Sequence, residues 1–167
     1  MKRAFLPTCA LLMLLLGGCA AISQTPGSIK SAPAAPAHKR DLAQEERNRA
    51  LVLNFSEIVF NKHDLVLGKA MMTESYIQHN PHVASGQAAF LTFYAKVIAE
   101  HPQVHSEVVR SATDGDLVFV HVRSTGGPSE NGVALVNIFR VEDGKIAEHW
   151  DVVQPVPDTA NNENTMF

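Results

Sequence analysis

Cysteine is almost missing from this chain: there are two among 167 residues, Cys9 and Cys19, both within the first twenty positions. No disulfide framework can therefore staple the remainder, which has to hold itself together by packing. Long apolar runs are missing too. The stretch from Ala4 to Leu16 is apolar with few interruptions, yet it is shorter than the roughly 20 residues that a membrane-spanning helix needs. Positive charge is also short, with 14 Lys and Arg against 17 Asp and Glu, and no basic patch has aromatic residues interleaved with it. That balance argues against a nucleic-acid partner. No internal repeat is visible.

What is present begins with an export signal. Met1-Lys2-Arg3, a short apolar core and the small residues Gly17-Gly18-Cys19-Ala20 describe a secretory leader. Leu16-Gly17-Gly18-Cys19 resembles a bacterial lipobox, which implies that Cys19 becomes the lipidated first residue of a protein anchored at the cell envelope. The alternative is an ordinary cleaved leader with Cys19 left as a free thiol. Losing Lys2 and Arg3 takes the formal charge from −3 to −5. The expected organisation is a signal peptide over 1–18, a disordered tether rich in Ser, Pro and Ala over 19–40, and one domain over 41–167. Roughly 130 residues suit one hydrophobic core.

Within the domain, helices come first. Asp41 to about Asn61 reads as a long amphipathic helix, polar in its first turns and then apolar at Leu51, Phe55, Ile58 and Val59. Asp64 caps a short second helix running through Met72. Tyr76 to Asn80 is a short extended piece stopped by Pro81. A third helix starts at Ser85-Gly86 and ends near Glu100, before His101-Pro102. Only strands follow: Val104 to Ala112, Leu117 to Ser124, Val133 to Val141 and Ile146 to Val153. The expected fold class is α+β, with a curved antiparallel sheet wrapped around the N-terminal helices.

The last strand carries the candidate site. Alternate side chains share a face, so His149 and Asp151 point one way and Trp150 the other. Their Cα atoms are about 6.7 Å apart, a spacing suited to two groups lining one cavity. The plain alternative is a polar face turned to water. If Glu142-Asp143-Gly144 is a three-residue loop, Asn137 faces His149, and Asn137 and Phe139 join that face. A two-residue turn at Asp143-Gly144 puts Asn137 beside Trp150 instead. On the strand before, Phe119, His121 and Arg123 share a face that mixes apolar and polar groups, as a ligand pocket would.

The segments Tyr76-Ile77-Gln78-His79-Asn80-Pro81, Asn137 to Ile146 and Glu148-His149-Trp150-Asp151-Val152 together resemble the SnoaL-like proteins of the nuclear transport factor 2-like superfamily. The ending Ala160 to Phe167 resembles a bacterial branch of the same group. The resemblance implies a cone-shaped fold with a pocket between sheet and helices, a small-molecule ligand, often a homodimer, and polyketide-cyclase-like chemistry without metal or other cofactor. It implies Asp151 as the general acid/base, and Asn80 and Asn137 as pocket residues. An isomerase of the ketosteroid type is disfavoured, because Asn80 cannot take a proton and Asn137 cannot be a protonated acid. The residues expected at the site are then Asp151, His121 and His149 as catalytic groups, and His79, Asn80, Asn137 and Phe119 as substrate-binding groups. A two-histidine, one-carboxylate metal centre built on His149 and Asp151 is the lesser alternative, and a binding module without chemistry is the principal one.

The lipobox gives a direct test. Wild-type protein should partition with membranes after export, since the lipoprotein modification supplies more than one acyl chain. Cys19→Ser should be released or left unprocessed in a membrane fractionation, and a wholly soluble wild-type protein would contradict the anchor.

Overall fold

The computed structural model describes residues 39–167. The expected signal peptide, Cys19 and nearly all of the expected tether lie outside them. The last tether residue, Arg40, belongs to the fold: its guanidinium pairs with Glu45 and donates to the Thr113 carbonyl at 2.9 Å.

Helix α1 spans Leu42–Ser56 and starts where Asp41 accepts from the Gln44 N–H at 3.0 Å, satisfying one of the free amides of the first turn. The polar residues of its opening turns are only in part a solvated face: Asp41, Gln44, Glu46 and Arg47 are exposed. Glu45 and Asn48 are buried and clamp the turn between the second and third strands, Glu45 accepting from the Gly115 N–H at 3.3 Å and Asn48 donating to the Gly115 carbonyl at 3.0 Å. The helix continues into a π-helical turn, Glu57–Asn61, which carries the buried Ile58 and Val59. Helix α2, Leu65–Ala70, is capped by Asp64 through the Leu67 N–H at 2.8 Å. Gly68 of α2 sits so close to Val59 that a Cβ there would lie 2.5 Å from its methyl carbon.

The expected continuation of α2 through Met72 is replaced by a strand. Strand β1, Met72–Gln78, leads to helix α3, Gln87–Glu100, and then to β2 (His105–Asp114), β3 (Leu117–Thr125), β4 (Val133–Glu142) and β5 (Lys145–Pro155). The five strands form one sheet in the order β1-β5-β4-β3-β2. The fold class is α+β, and the sheet is mixed rather than purely antiparallel, because β1 runs parallel to β5. A parallel pair cannot be joined by a tight turn, and the chain between β1 and β5 here contains α3 and three strands.

The hairpin between β4 and β5 turns through Asp143 and Gly144 alone, with Glu142 opposite Lys145. Both turn residues have positive φ, 48° and 71°, the conformation of a two-residue turn that matches strand twist. The three-residue loop that would have set Asn137 opposite His149 is thus absent. The expected grouping of side chains survives for another reason: Val141 faces Ile146 but Arg140 faces Glu148, so Ala147 is an extra residue in β5. Ile146 and Ala147 are consecutive and both buried, and beyond the bulge Phe139 faces His149 and Asn137 faces Asp151.

The core lies between the helices and one face of the sheet. Phe55 is at its centre, with ring centroids 6.0 Å from Phe60, 6.1 Å from Phe90 and 5.9 Å from Phe139, while Val118, Val120 and Val122 close it from β3. Phe55→Ala should therefore cost about 3–5 kcal/mol, the usual loss for a buried Phe cut to Ala. Val66→Ala, at a position 84 % exposed, should stay within about 0.5 kcal/mol of wild type. Urea denaturation of the two variants checks both values.

Candidate functional site

A cavity of about 290 Å³ opens between α3, the π-helical turn and the inner face of the sheet. Its walls are mostly apolar, including Phe60, Phe93, Val97, Leu135 and Val153, and a polar end is formed by Asn80, Asn137 and Asp151. That combination of apolar walls with a few convergent polar groups is the usual make-up of a small-molecule site.

Strand alternation and the bulge at Ala147 bring His149, Asp151, Asn137 and Phe139 to the inner face. Asn80 arrives from the other side of β5, because β1 pairs with it in parallel and Gln78 lies opposite His149. The Asn80 amide donates to both oxygens of Asp151, at 2.8 and 2.7 Å, and its own carbonyl accepts from the His82 N–H at 2.8 Å. Asn80 is thus a bracket for the carboxylate. Among the described residues, no lysine, arginine or histidine forms an ion pair with Asp151.

His149 is 2 % exposed, stacked against Phe139 with ring centroids 4.7 Å apart. Its Nδ1 lies 3.1 Å from Gln78 Oε1 and its Nε2 lies 3.0 Å from Asn137 Oδ1. Burial pushes its pKa down from 6.5 to about 4, outweighing the nearby Asp151 charge that favours protonation; His79 pushes in the same direction as burial. A neutral imidazole donates from one nitrogen only, so one of the two amides has to present its NH2 to the ring. Gln78 is not free to do so. Its Oε1 also accepts from the Asn80 N–H at 3.0 Å, and its Nε2 donates to the Tyr76 hydroxyl at 3.0 Å. The proton therefore sits on Nδ1, and a neutral ring is satisfied at Nε2 when the Asn137 amide directs its NH2 at that nitrogen.

Three expected site residues lie elsewhere. Val118, Val120 and Val122 are the inward side chains of β3, so Phe119 and His121 point to the opposite, outer face. There the Arg110 guanidinium lies 3.2 Å from His121 Nδ1, and Phe167 stacks on the His121 ring at 5.7 Å. The three valines were the better guide to the interior, since an unbroken β-branched set packs on a core more readily than a set containing His and Arg. His79 is on the outer face as well, stacked flat on Trp150 at 4.3 Å and 3.0 Å from Glu148, which also accepts from Arg140 at 2.7 Å. Alternation along β1 accounts for this, because Tyr76, Gln78 and Asn80 take the inward positions.

Two residues of the inner cluster escaped the sequence reading. Gln78 shares a face with Asn80 by alternation, a signal that was available. Tyr94 was legible only as part of the apolar face of α3, and in the structure it lines the cavity. Burial pushes the Tyr94 hydroxyl well up, the Asp151 charge adds to this, and the group stays protonated at any physiological pH.

The neutral buried ring of His149 has a consequence for acid stability. Its folded pKa lies below its ordinary value, so between pH 6.5 and about 4 the unfolded chain binds more protons and stability falls as pH falls. The slope from this one group is at most about 1.4 kcal/mol per pH unit. His149→Gln should flatten that limb, measured as unfolding free energy against pH by urea titration. An unchanged slope would mean that the ring is not held neutral.

Residues 52–149 match the family model of the SnoaL-like domain. The sequence has no match among curated proteins. Solved structures with the same fold include a candidate ketosteroid isomerase from Kribbella flavida, with TM-score 0.58 and 21 % identity over 74 % of this chain and 90 % of that one. A candidate polyketide cyclase from Sinorhizobium meliloti is similar at TM-score 0.54 and 19 % identity, covering 62 % of this chain and 93 % of its own. A protein of unknown function from Mesorhizobium loti has TM-score 0.56 and 25 % identity over 70 % and 97 % of the two chains. At such identities the structures speak for the fold alone, while the family model covers more than half of the sequence, from the last turns of α1 to His149. With helices, mixed sheet and interior cavity arranged as described, the chain belongs to the SnoaL-like domain family.

Proposed function

We propose that this protein carries out acid/base chemistry on a small, partly apolar molecule, with Asp151 taking and returning a proton next to a carbonyl group, as in an aldol condensation or a related proton transfer. The observation that carries the reading is the Asp151 carboxylate at the polar end of an otherwise apolar cavity, bracketed by Asn80 and lacking a cation partner among the described residues. In such a step the C–H bond breaks and its proton passes to a carboxylate oxygen. The electron pair forms the carbon–carbon double bond of an enolate as the carbonyl π pair moves to oxygen. A second carbonyl or the returning proton then meets the enolate carbon. His149 takes no part in proton transfer at neutral pH in this reading, because both of its nitrogens are engaged with amides; it positions Asn137. Lipidation at Cys19 would put the cavity at the cell envelope.

One feature favours the second reading, a binding module that holds a ligand without chemistry. The Asn80 NH2 is taken up by both oxygens of Asp151 and Asn137 is engaged by His149, so at most one N–H of the two asparagines is left to hold a substrate oxygen. One experiment separates the readings. Phenylacetone in heavy water, followed by NMR, reports exchange of the hydrogens next to its carbonyl. Wild type should accelerate exchange, and Asp151→Asn should lower turnover by roughly two to four powers of ten while keeping affinity within about tenfold, since the amide preserves shape but takes no proton. Equal exchange by wild type and Asp151→Asn would refute the catalytic reading and leave the binding module.

A further inference from the structure

Proton removal next to a carbonyl leaves negative charge on the carbonyl oxygen, and a hydrogen-bond donor aimed at that oxygen is worth a large part of the acceleration. Most polar side chains that line the cavity are already engaged. Asn80 gives its NH2 to Asp151 and its carbonyl to the His82 amide. Asn137 is buried and engaged by the neutral ring of His149 through one N–H, which leaves its carbonyl and at most one N–H beside the cavity. His63 Nε2 lies 3.3 Å from the Val104 carbonyl, and the Ser129 hydroxyl donates to the Gly132 carbonyl at 2.9 Å. Ser106 and Ser124 face each other at 3.5 Å, and Ser124 is four residues along β3 from Val120, the cross-strand neighbour of Asn137. That places it roughly 13 Å from the polar end.

Tyr94 remains. It lies on α3 among the rings of Phe60, Phe90 and Phe93, with centroids 5.0, 4.6 and 5.3 Å away, so its ring is held by packing. Its hydroxyl takes part in no side-chain hydrogen bond among the described residues and is not one of their sealed-off unpartnered atoms, and the residue lines the same cavity as Asp151. We propose that Tyr94 is a further catalytic residue, donating its O–H to the substrate's carbonyl oxygen while Asp151 takes the neighbouring proton. The hydroxyl keeps its own proton throughout: the oxygen gains a hydrogen bond as it gains charge, and returning the proton from Asp151 to carbon restores the carbonyl. Such a site takes ketones and aldehydes with a small apolar body and an adjacent C–H. It does not take carboxylates, whose charge would face the carboxylate of Asp151.

The inference rests on the reading of the cavity given above, and two readouts keep the two apart. In the phenylacetone exchange assay, Tyr94→Phe should lower kcat by roughly a hundredfold or more with KM within about threefold, because the lost hydrogen bond strengthens only as charge develops. Independently of turnover, phenylacetone labelled at its carbonyl carbon should show a downfield NMR shift when bound to wild type, and that shift should be lost with Tyr94→Phe. The substitution removes one oxygen from a ring held by packing, and thermal unfolding confirms that the variant is folded. An unchanged bound-state shift, or unchanged kcat in a protein that exchanges hydrogens, would overturn the role of Tyr94 alone. A shift that depends on Tyr94 in a protein that exchanges nothing would sink the proton transfer and keep Tyr94 as the carbonyl donor of a binding site. Failure of phenylacetone to bind, with phenylacetate bound instead, would overturn both.

Discussion

The hydrogen bond from His149 to Gln78 joins the last strand of the sheet to the first, and the arrangement of the cavity's polar end hangs on it. Gln78 Oε1 accepts at once from the imidazole and from the Asn80 backbone N–H, while Asn80 brackets Asp151 and the other side of the imidazole sets Asn137. Every member is tied to a neighbour that is itself tied, and Tyr76 anchors the far end through the Gln78 amide. In a buried network of this kind, removing one partner exposes the rest to an unpaid desolvation cost of about 1–3 kcal/mol for each group left without a bond. The same economy explains why a histidine lies at the bottom of an apolar interior: both of its nitrogens have partners there, and its charge does not need to be accommodated.

The two faces of the sheet treat identical residue types in opposite ways. His149 is enclosed and kept neutral, whereas His79, from the neighbouring strand, lies on the outside against Trp150 and bonds to Glu148. Glu148 in turn is held below the usual carboxylate range, chiefly by the hydrogen bond from His79 and also by Arg140. Adjacent positions in β5 thus alternate between a hydrogen-bonded interior and a charged exterior. The distinction is one of pleat geometry, not of chemistry carried by the residues themselves.

Much of this architecture could be read from residues alone. The caps at Asp41 and Asp64, the three helices, the succession of strands after Pro102 and the shared face of His149 and Asp151 follow from local patterns that packing did not override, whereas Asn137 joins that face only through the bulge at Ala147. Strand β1 was misread in part because Met72-Thr73-Glu74-Ser75 has neither a helical nor a clean alternating pattern; its pairing is dictated by β5, more than sixty residues away in sequence. His121 and His79 are expected at the site for the chemistry of their rings and Phe119 for the mixed face it shares with His121, although the valines of β3 and the alternation of β1 put all three outside. Tyr94 could not be singled out, since a tyrosine on the apolar stripe of a helix looks the same whether its hydroxyl meets a cavity or solvent.

The bulge at Ala147 makes the interior of this hairpin a matter of parity. A two-residue turn followed by a regular ladder would send His149 and Asp151 outward and carry Glu148 and Trp150 into the core. One additional residue reverses that assignment without altering a single side chain. What decides the inner face is which residue of β5 lies opposite Arg140: with Glu148 there, His149 and Asp151 face inward, and a slip of the pairing by one residue exchanges inside for outside. A relative that lacks the residue at Ala147 but keeps the two-residue turn would pair the same residues in an unbroken ladder and hold the same inner cluster.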